Sequence, residues 1–169
     1  IRGENSSGKT TLLKLFEFGL GANVSPKKFF IPEIRKCKRL LLEVVLNDTT
    51  YTFERKFGKG SSHIKVYKGL MDDPLHLSPT RFSVRGEFSD FLLYQLDIPQ
   101  LSFVDPYYER ERKLTFNDLY DTLYVDQENG FSEIYARVRG KDKRKNLFKL
   151  LTKTIKPDLY DIEIEVKYL

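Results

Sequence analysis

The chain has 169 residues, 40% of them hydrophobic and 31% charged, which is enough to build an ordinary core and excludes wholesale disorder. Lys and Arg number 29 against 24 Asp and Glu, a net charge of +5 that permits contact with nucleic acid without demanding it. The single cysteine, Cys37, excludes an internal disulfide framework and fits a reducing, cytoplasmic setting; with only His63 and His76 beside it, a zinc site is not expected. No apolar run is long enough to span a membrane, so no membrane partner is expected.

Residues 3 to 10 read Gly3-Glu4-Asn5-Ser6-Ser7-Gly8-Lys9-Thr10, a complete G-x-x-x-x-G-K-[ST] phosphate loop. A triphosphate is a dense anion, and successive backbone N–H groups wrap it only where the chain curls tightly. Gly3 and Gly8 therefore stand where a Cβ would obstruct. Lys9 brings a positive charge to the β- and γ-phosphates, and Thr10 offers a hydroxyl to Mg²⁺. Thr11 to Phe18 reads as the helix that should follow, its positive end toward the phosphates. Only Ile1 and Arg2 precede Gly3, so the strand that feeds such a loop, and the true start of the polypeptide, are expected upstream. Arg2 adjoins the loop as a second candidate nucleotide contact or as a strand-end arginine.

The helix is expected to stop at Gly19-Leu20-Gly21, and the Pro26 to Pro32 stretch reads as a loop. Arg39–Leu46 and Thr50–Phe57 read as strands joined by an Asn47-Asp48 turn, and His63–Lys68 as a third strand with Ile64 and Val66 on one face. This is an antiparallel meander. Phe88–Leu96 has helical spacing, with Phe88, Phe91, Leu92 and Leu96 sharing a face. Pro106–Lys113 reads as a polar loop, and Thr115 as the N-cap of a short helix with Phe116, Leu119 and Tyr120. Leu123-Tyr124-Val125-Asp126-Gln127 reads as a short strand with a polar end. Asp142–Lys153 reads as a basic amphipathic helix, and Asp161–Leu169 as either a strand or an exposed helix start.

The phosphate loop, the meander and the Tyr124–Gln127 segment together resemble the N-terminal lobe of an ABC-type ATPase head of the SMC class, a class that includes double-strand-break-repair and RecF-like ATPases. The family's loop reads close to G-x-N-S-S-G-K-[ST]-T-L-L, and Asn5 to Leu13 follows it. Leu96-Asp97-Ile98-Pro99 is similar to the same region of bacterial SMC-like heads. The resemblance implies an α/β P-loop NTPase lobe over 1–154, incomplete without a C-terminal lobe, with 155–169 leading toward a coiled coil. It implies ATP and Mg²⁺ as cofactors, with Gly3, Asn5, Ser6, Ser7, Gly8, Lys9, Thr10 and Thr11 around the nucleotide. Gln127 occupies the place of the Q-loop glutamine, which touches Mg²⁺ and the γ-phosphate side. The partners implied are the C-terminal lobe of the same protein, a second head and DNA. That lobe would bring the signature motif, the Walker B aspartate and the catalytic glutamate, so ATP hydrolysis is expected only in the complete protein. ATP-driven head engagement of this kind serves repair, chromosome organisation and phage defence.

Two other readings stand beside it. Leu123-Tyr124-Val125-Asp126 also reads as a Walker B strand, with Asp126 holding Mg²⁺ and Glu128 as general base, in a self-contained kinase or GTPase-like enzyme. Alternatively the loop only stabilises a non-catalytic interaction module. Two basic clusters, Arg35–Arg39 and Arg137–Lys145, are candidate phosphate-backbone contacts or solvated faces.

Overall fold

The computed structural model describes residues 8–24, 32–70, 72, 78–84, 86–105, 110–123 and 147–148. The chain divides into two compact units, Ile1–Leu96 and Asp97–Leu169. The expected boundary between 154 and 155 lies outside the described residues.

The first unit is α/β. Helix α1 (Lys9–Gly19) is followed by a single helical turn, α2 (Pro32–Arg35), then strands β1 (Arg39–Leu46), β2 (Thr49–Lys56), β3 (His63–Lys68) and β4 (Thr80–Ser83), and helix α3 (Glu87–Gln95). The strands form one antiparallel sheet in the order β1-β2-β3-β4, so the expected meander is present and gains a fourth strand. The β1–β2 hairpin closes through Asn47 (φ 44°) and Asp48 (φ 59°), a two-residue left-handed turn whose twist matches the strands. Asn and Asp tolerate that conformation because their short side chains bond locally.

Strand parity decides what the sheet buries. Leu40 and Leu42 of β1, Tyr51, Phe53 and Arg55 of β2, Ile64 and Val66 of β3 and Phe82 of β4 share one face in register. Both helices pack on that face. Phe53 meets Phe88 edge-on at 5.1 Å, and Phe91 stacks on Phe82 at 5.1 Å. Phe18, Phe53, Phe88, Ile64, Leu92 and Leu93 are almost wholly buried, each stabilising the fold by about 1.5–3 kcal/mol. On α3 the buried stripe holds Leu93 rather than the expected Leu96. The helix ends at Gln95, so Leu96 is its cap and remains 38% exposed.

The second unit contains β5 (Ser102–Asp105), antiparallel to β6 (Arg110–Lys113), and helix α4 (Phe116–Leu123). The expected loop at Pro106–Lys113 is thus partly a strand. Arg-Glu-Arg-Lys has no apolar alternation, and its pairing comes from backbone bonds that hydropathy does not display. Thr115 caps α4 as expected: the Asp118 N–H donates to Thr115 Oγ1 at 3.3 Å, and the Thr115 N–H donates to Asp118 Oδ2 at 2.9 Å. Leu123, expected to open a strand, is instead the last residue of α4, because the spacing Phe116, Leu119, Tyr120, Leu123 extends the helical period through it. Residues 124–127 lie outside the described residues. Of the expected helix at 142–153 only Leu147 and Phe148 are described, and both are helical.

Candidate functional site

Gly8, Lys9, Thr10 and Thr11 lie together at the N-terminal end of α1. Gly8 is the residue before the helix and sits in the left-handed region (φ 80°, ψ 6°). No described atom lies within 4 Å of where a Cβ would stand, so glycine is required there by backbone conformation and not by crowding. The Gly8 carbonyl accepts the first helical bond, from the Leu12 N–H at 2.9 Å. The amides of the turn before Leu12 point along the axis out of the helix end. Gly8 brings no side-chain cap to them, and the first turn holds no acidic residue. The helix dipole and Lys9 therefore add to one positive end. Gly8 and Thr10 are exposed, whereas Lys9 and Thr11 are half-buried.

The other end of α1 is fixed to the sheet. The Gly21 N–H donates to the Phe18 carbonyl at 3.2 Å and the Ala22 N–H to the Glu17 carbonyl at 2.9 Å, with Gly21 at φ 94°. This is the Schellman termination that glycine past a helix end favours. Gly19 allows close approach: a Cβ there would come within 2.8 Å of Leu42 Cδ2 and 3.1 Å of Leu40 Cδ2. Arg55 completes the attachment. Its guanidinium donates to the Phe18 carbonyl, to the Ala22 carbonyl at 2.9 Å and to the Ser61 carbonyl at 2.9 Å, and it lies over the Phe18 ring. A cation beside the negative end of α1 is electrostatically matched. Burial pulls the Arg55 pKa down to about 10, which leaves it charged at neutral pH. On α1 itself, buried Lys14 Nζ lies 3.1 and 3.0 Å from the two Glu17 carboxylate oxygens.

Sequence reasoning did not single out Arg55. Its signal is parity: Tyr51 and Phe53 mark the apolar side of β2, and Arg55 continues that alternation with a charge.

No known protein family, curated protein or solved structure matches the chain.

Gly3, Asn5, Ser6, Ser7 and Arg2 lie outside the described residues, as do Asp126, Gln127, Glu128 and the cluster Arg137–Lys145. Of the first basic cluster, Lys36, Lys38 and Arg39 are exposed. Cys37 is exposed, with its thiol 3.8 Å from the Glu33 carbonyl. Among the described residues no group of three or more His, Cys, Asp or Glu could hold a metal ion, and no helix is long and apolar enough to cross a membrane.

Among the described residues at this helix end, the oxygen donors fit Mg²⁺ only as a minor part of its shell. Thr10 brings one exposed hydroxyl, and Mg²⁺ characteristically takes few protein ligands and completes its shell with phosphate oxygens and water. The positive end of α1 is electrostatically matched to an anion, and a hard cation would be held there chiefly through that anion.

Proposed function

We propose that this chain is the nucleotide-holding N-terminal lobe of an ATPase head similar to those of the SMC class, working on DNA together with a C-terminal lobe and a second head. The observation that carries the reading is Gly8, left-handed at the mouth of a helix whose first turn is uncapped by it and free of acids, followed directly by Lys9 and Thr10. In this reading the loop from Gly3 through Asn5, Ser6 and Ser7 to Gly8 curls around the phosphates. Lys9 offsets charge on the β- and γ-phosphates, and the Thr10 hydroxyl and Gln127 hold Mg²⁺. The bound ion would neutralise phosphate charge during transfer.

The chain's own contribution is binding and orientation. The backbone amides at the head of α1 are fixed donors, and they need no rearrangement when the anion arrives. The antiparallel meander seats α1 through Gly19 and Arg55, which holds the direction of those donors constant. Cleavage of the γ-phosphate needs a positioned water and donors from the partner lobe, so this lobe by itself binds without turnover.

The test is retention of the full chain on immobilised ATP and GTP, with Lys9→Ala as control. Mg²⁺-dependent retention on ATP, competed by free ATP and lost in Lys9→Ala, is expected. Preference for GTP would point instead to a self-contained GTPase-like enzyme, and no retention on either would leave only a structural role for the loop.

A further inference from the structure

The two edges of the four-stranded sheet are built differently. β4 is four residues long and carries Arg81, and a short, charged edge discourages a further strand. β1 is eight residues long, with no proline or glycine, and its register with β2 runs without a bulge from Arg39 to Leu46. Its protection against further pairing amounts to one cation, Arg39, and one acid, Glu43. The exposed large hydrophobic residues of this sheet, among those described, are Leu41 at 38% and Val45 at 66%, and both lie on β1.

Two backbone bonds fix the polarity of that edge. The Phe57 N–H donates to the Lys38 carbonyl at 3.2 Å, one step beyond Arg39 and Lys56 in the same register. Bonded and non-bonded pairs alternate along an antiparallel ladder, so Leu40, Leu42, Val44 and Leu46 turn their amides and carbonyls to β2. The Gly69 N–H, donating to the Thr50 carbonyl at 2.8 Å, gives the same answer from the other side, because the even residues of β2 then face β3. Arg39, Leu41, Glu43 and Val45 therefore direct theirs to the outer edge, where no described strand pairs with β1. Their side chains share the sheet face opposite α1 and α3.

We propose that the β1 edge pairs with the same edge of a second copy of the chain, antiparallel about a two-fold axis at Leu41. The charges choose the register. An axis at Leu41 sets Arg39 opposite Glu43 of the copy and Glu43 opposite Arg39 of the copy, two opposite-charge pairs from one isologous contact. An axis at Glu43 would set that carboxylate against itself, an axis at Leu40 or Leu42 would set both charges against uncharged residues, and a parallel strand in register would set like against like. The Leu41 register also matches the backbone, since Arg39, Leu41 and Glu43 are the residues whose donors and acceptors point outward, and it covers the exposed Leu41 with its copy. Arg39 lies 3.5 Å from Glu54 through one nitrogen and keeps 50% of its side chain exposed, so its fork can serve a second carboxylate. A foreign strand would have to bring the complementary order of acid, apolar residue and cation, which the copy already carries. The contact needs no nucleotide, which separates it from ATP-driven engagement of heads.

The experiment is sedimentation velocity on the full chain without nucleotide, from about 1 μM to about 1 mM. Leu41→Pro removes an outward N–H and none that serves β2. Glu43→Lys sets a cation opposite Arg39 of the copy. Leu41→Cys with Cys37→Ser reports the register, because bonded residues opposite one another stand about 5.5 Å apart at Cα, within reach of a disulfide; Glu43→Cys with Cys37→Ser is its control. Urea midpoints check that each variant folds. The expected result is a concentration-dependent dimer of the parent, with association at least about tenfold weaker in Glu43→Lys and lost in Leu41→Pro. Mild oxidation should cross-link Leu41→Cys and not Glu43→Cys. A parent that stays monomeric throughout would overturn the proposal and leave the edge to another strand. A dimer that ignores both Leu41→Pro and Glu43→Lys would overturn it and move the contact elsewhere, and cross-linking through Glu43→Cys in place of Leu41→Cys would overturn the register. Should Leu41→Pro fail to fold, Glu43→Lys and the cross-link decide.

Discussion

The Arg55 guanidinium lies 4.0 Å from the centre of the Phe18 ring and also donates to the Phe18 carbonyl. One side chain on β2 therefore holds both the last aromatic ring of α1 and the polar end of that helix. Phe18 also stacks on Phe57, with ring centroids 4.9 Å apart. Arg55→Ala should remove the donors to three carbonyls, one buried and two half-buried, together with the cation–π contact, and cost about 3 kcal/mol. Arg55→Lys should recover less than half of that, because an ammonium cannot reproduce the planar fork. Urea denaturation of the full chain followed by circular dichroism checks both.

Gly8 and Gly19 should fail in different ways. Gly8→Ala places a Cβ in open space on a left-handed backbone, so folding should lose only about 1 kcal/mol. Nucleotide affinity should fall by about tenfold or more, since the loop's curvature is what the substitution opposes. Gly19→Ala drives a methyl toward Leu42; the clash, less the gain in helix propensity, should cost about 1 kcal/mol and leave nucleotide affinity within about twofold. Paired stability and ATP-binding measurements on both variants test the distinction.

Tyr67 gives the sheet an alkaline signature. Burial, and then the hydrogen bond and charge of Glu54, raise its pKa above the ordinary value of about 10. The folded state thus keeps the phenol protonated at a pH where the unfolded chain has lost the proton. Its contribution is complete below about pH 10 and declines as pH rises through the folded value. The stability difference between the parent and Tyr67→Phe should therefore be constant from neutral pH to about 10 and shrink above it. Denaturant midpoints of both proteins across that range check the sign.

Much of the first unit was legible because its signals are local. Asn47 and Asp48 encode their own turn, and the alternation of β1 to β3 and the helical spacing of α1 and α3 each span enough residues to show a period. β4, β6 and α2 are four residues each, too short for one. Gly8 stood out through the spacing of its motif, but the reason glycine is needed there is its left-handed backbone and not the crowding of a Cβ that the sequence suggests. Arg55 did not stand out, because its partners lie outside its own strand.

In the second unit, Thr115→Ala should cost about 1 kcal/mol by removing the acceptor for the Asp118 N–H and the donor that reaches Asp118 Oδ2 at 2.7 Å. Asp118 retains Arg112 Nη2 at 3.1 Å, so α4 should fray at its first turn and not unfold. Faster hydrogen exchange at residues 116–118, with exchange at 120–122 little changed, is the expected pattern.

The head of α1 is proposed to hold a nucleotide's phosphates. Titrating the full chain with ATP and Mg²⁺ while following the backbone amide resonances of Gly8 to Leu12 tests it at the atoms concerned. Saturable shifts at these amides, absent in Lys9→Ala and reproduced weakly by inorganic phosphate, are predicted. Amides that stay unmoved at millimolar ATP and Mg²⁺ would contradict it.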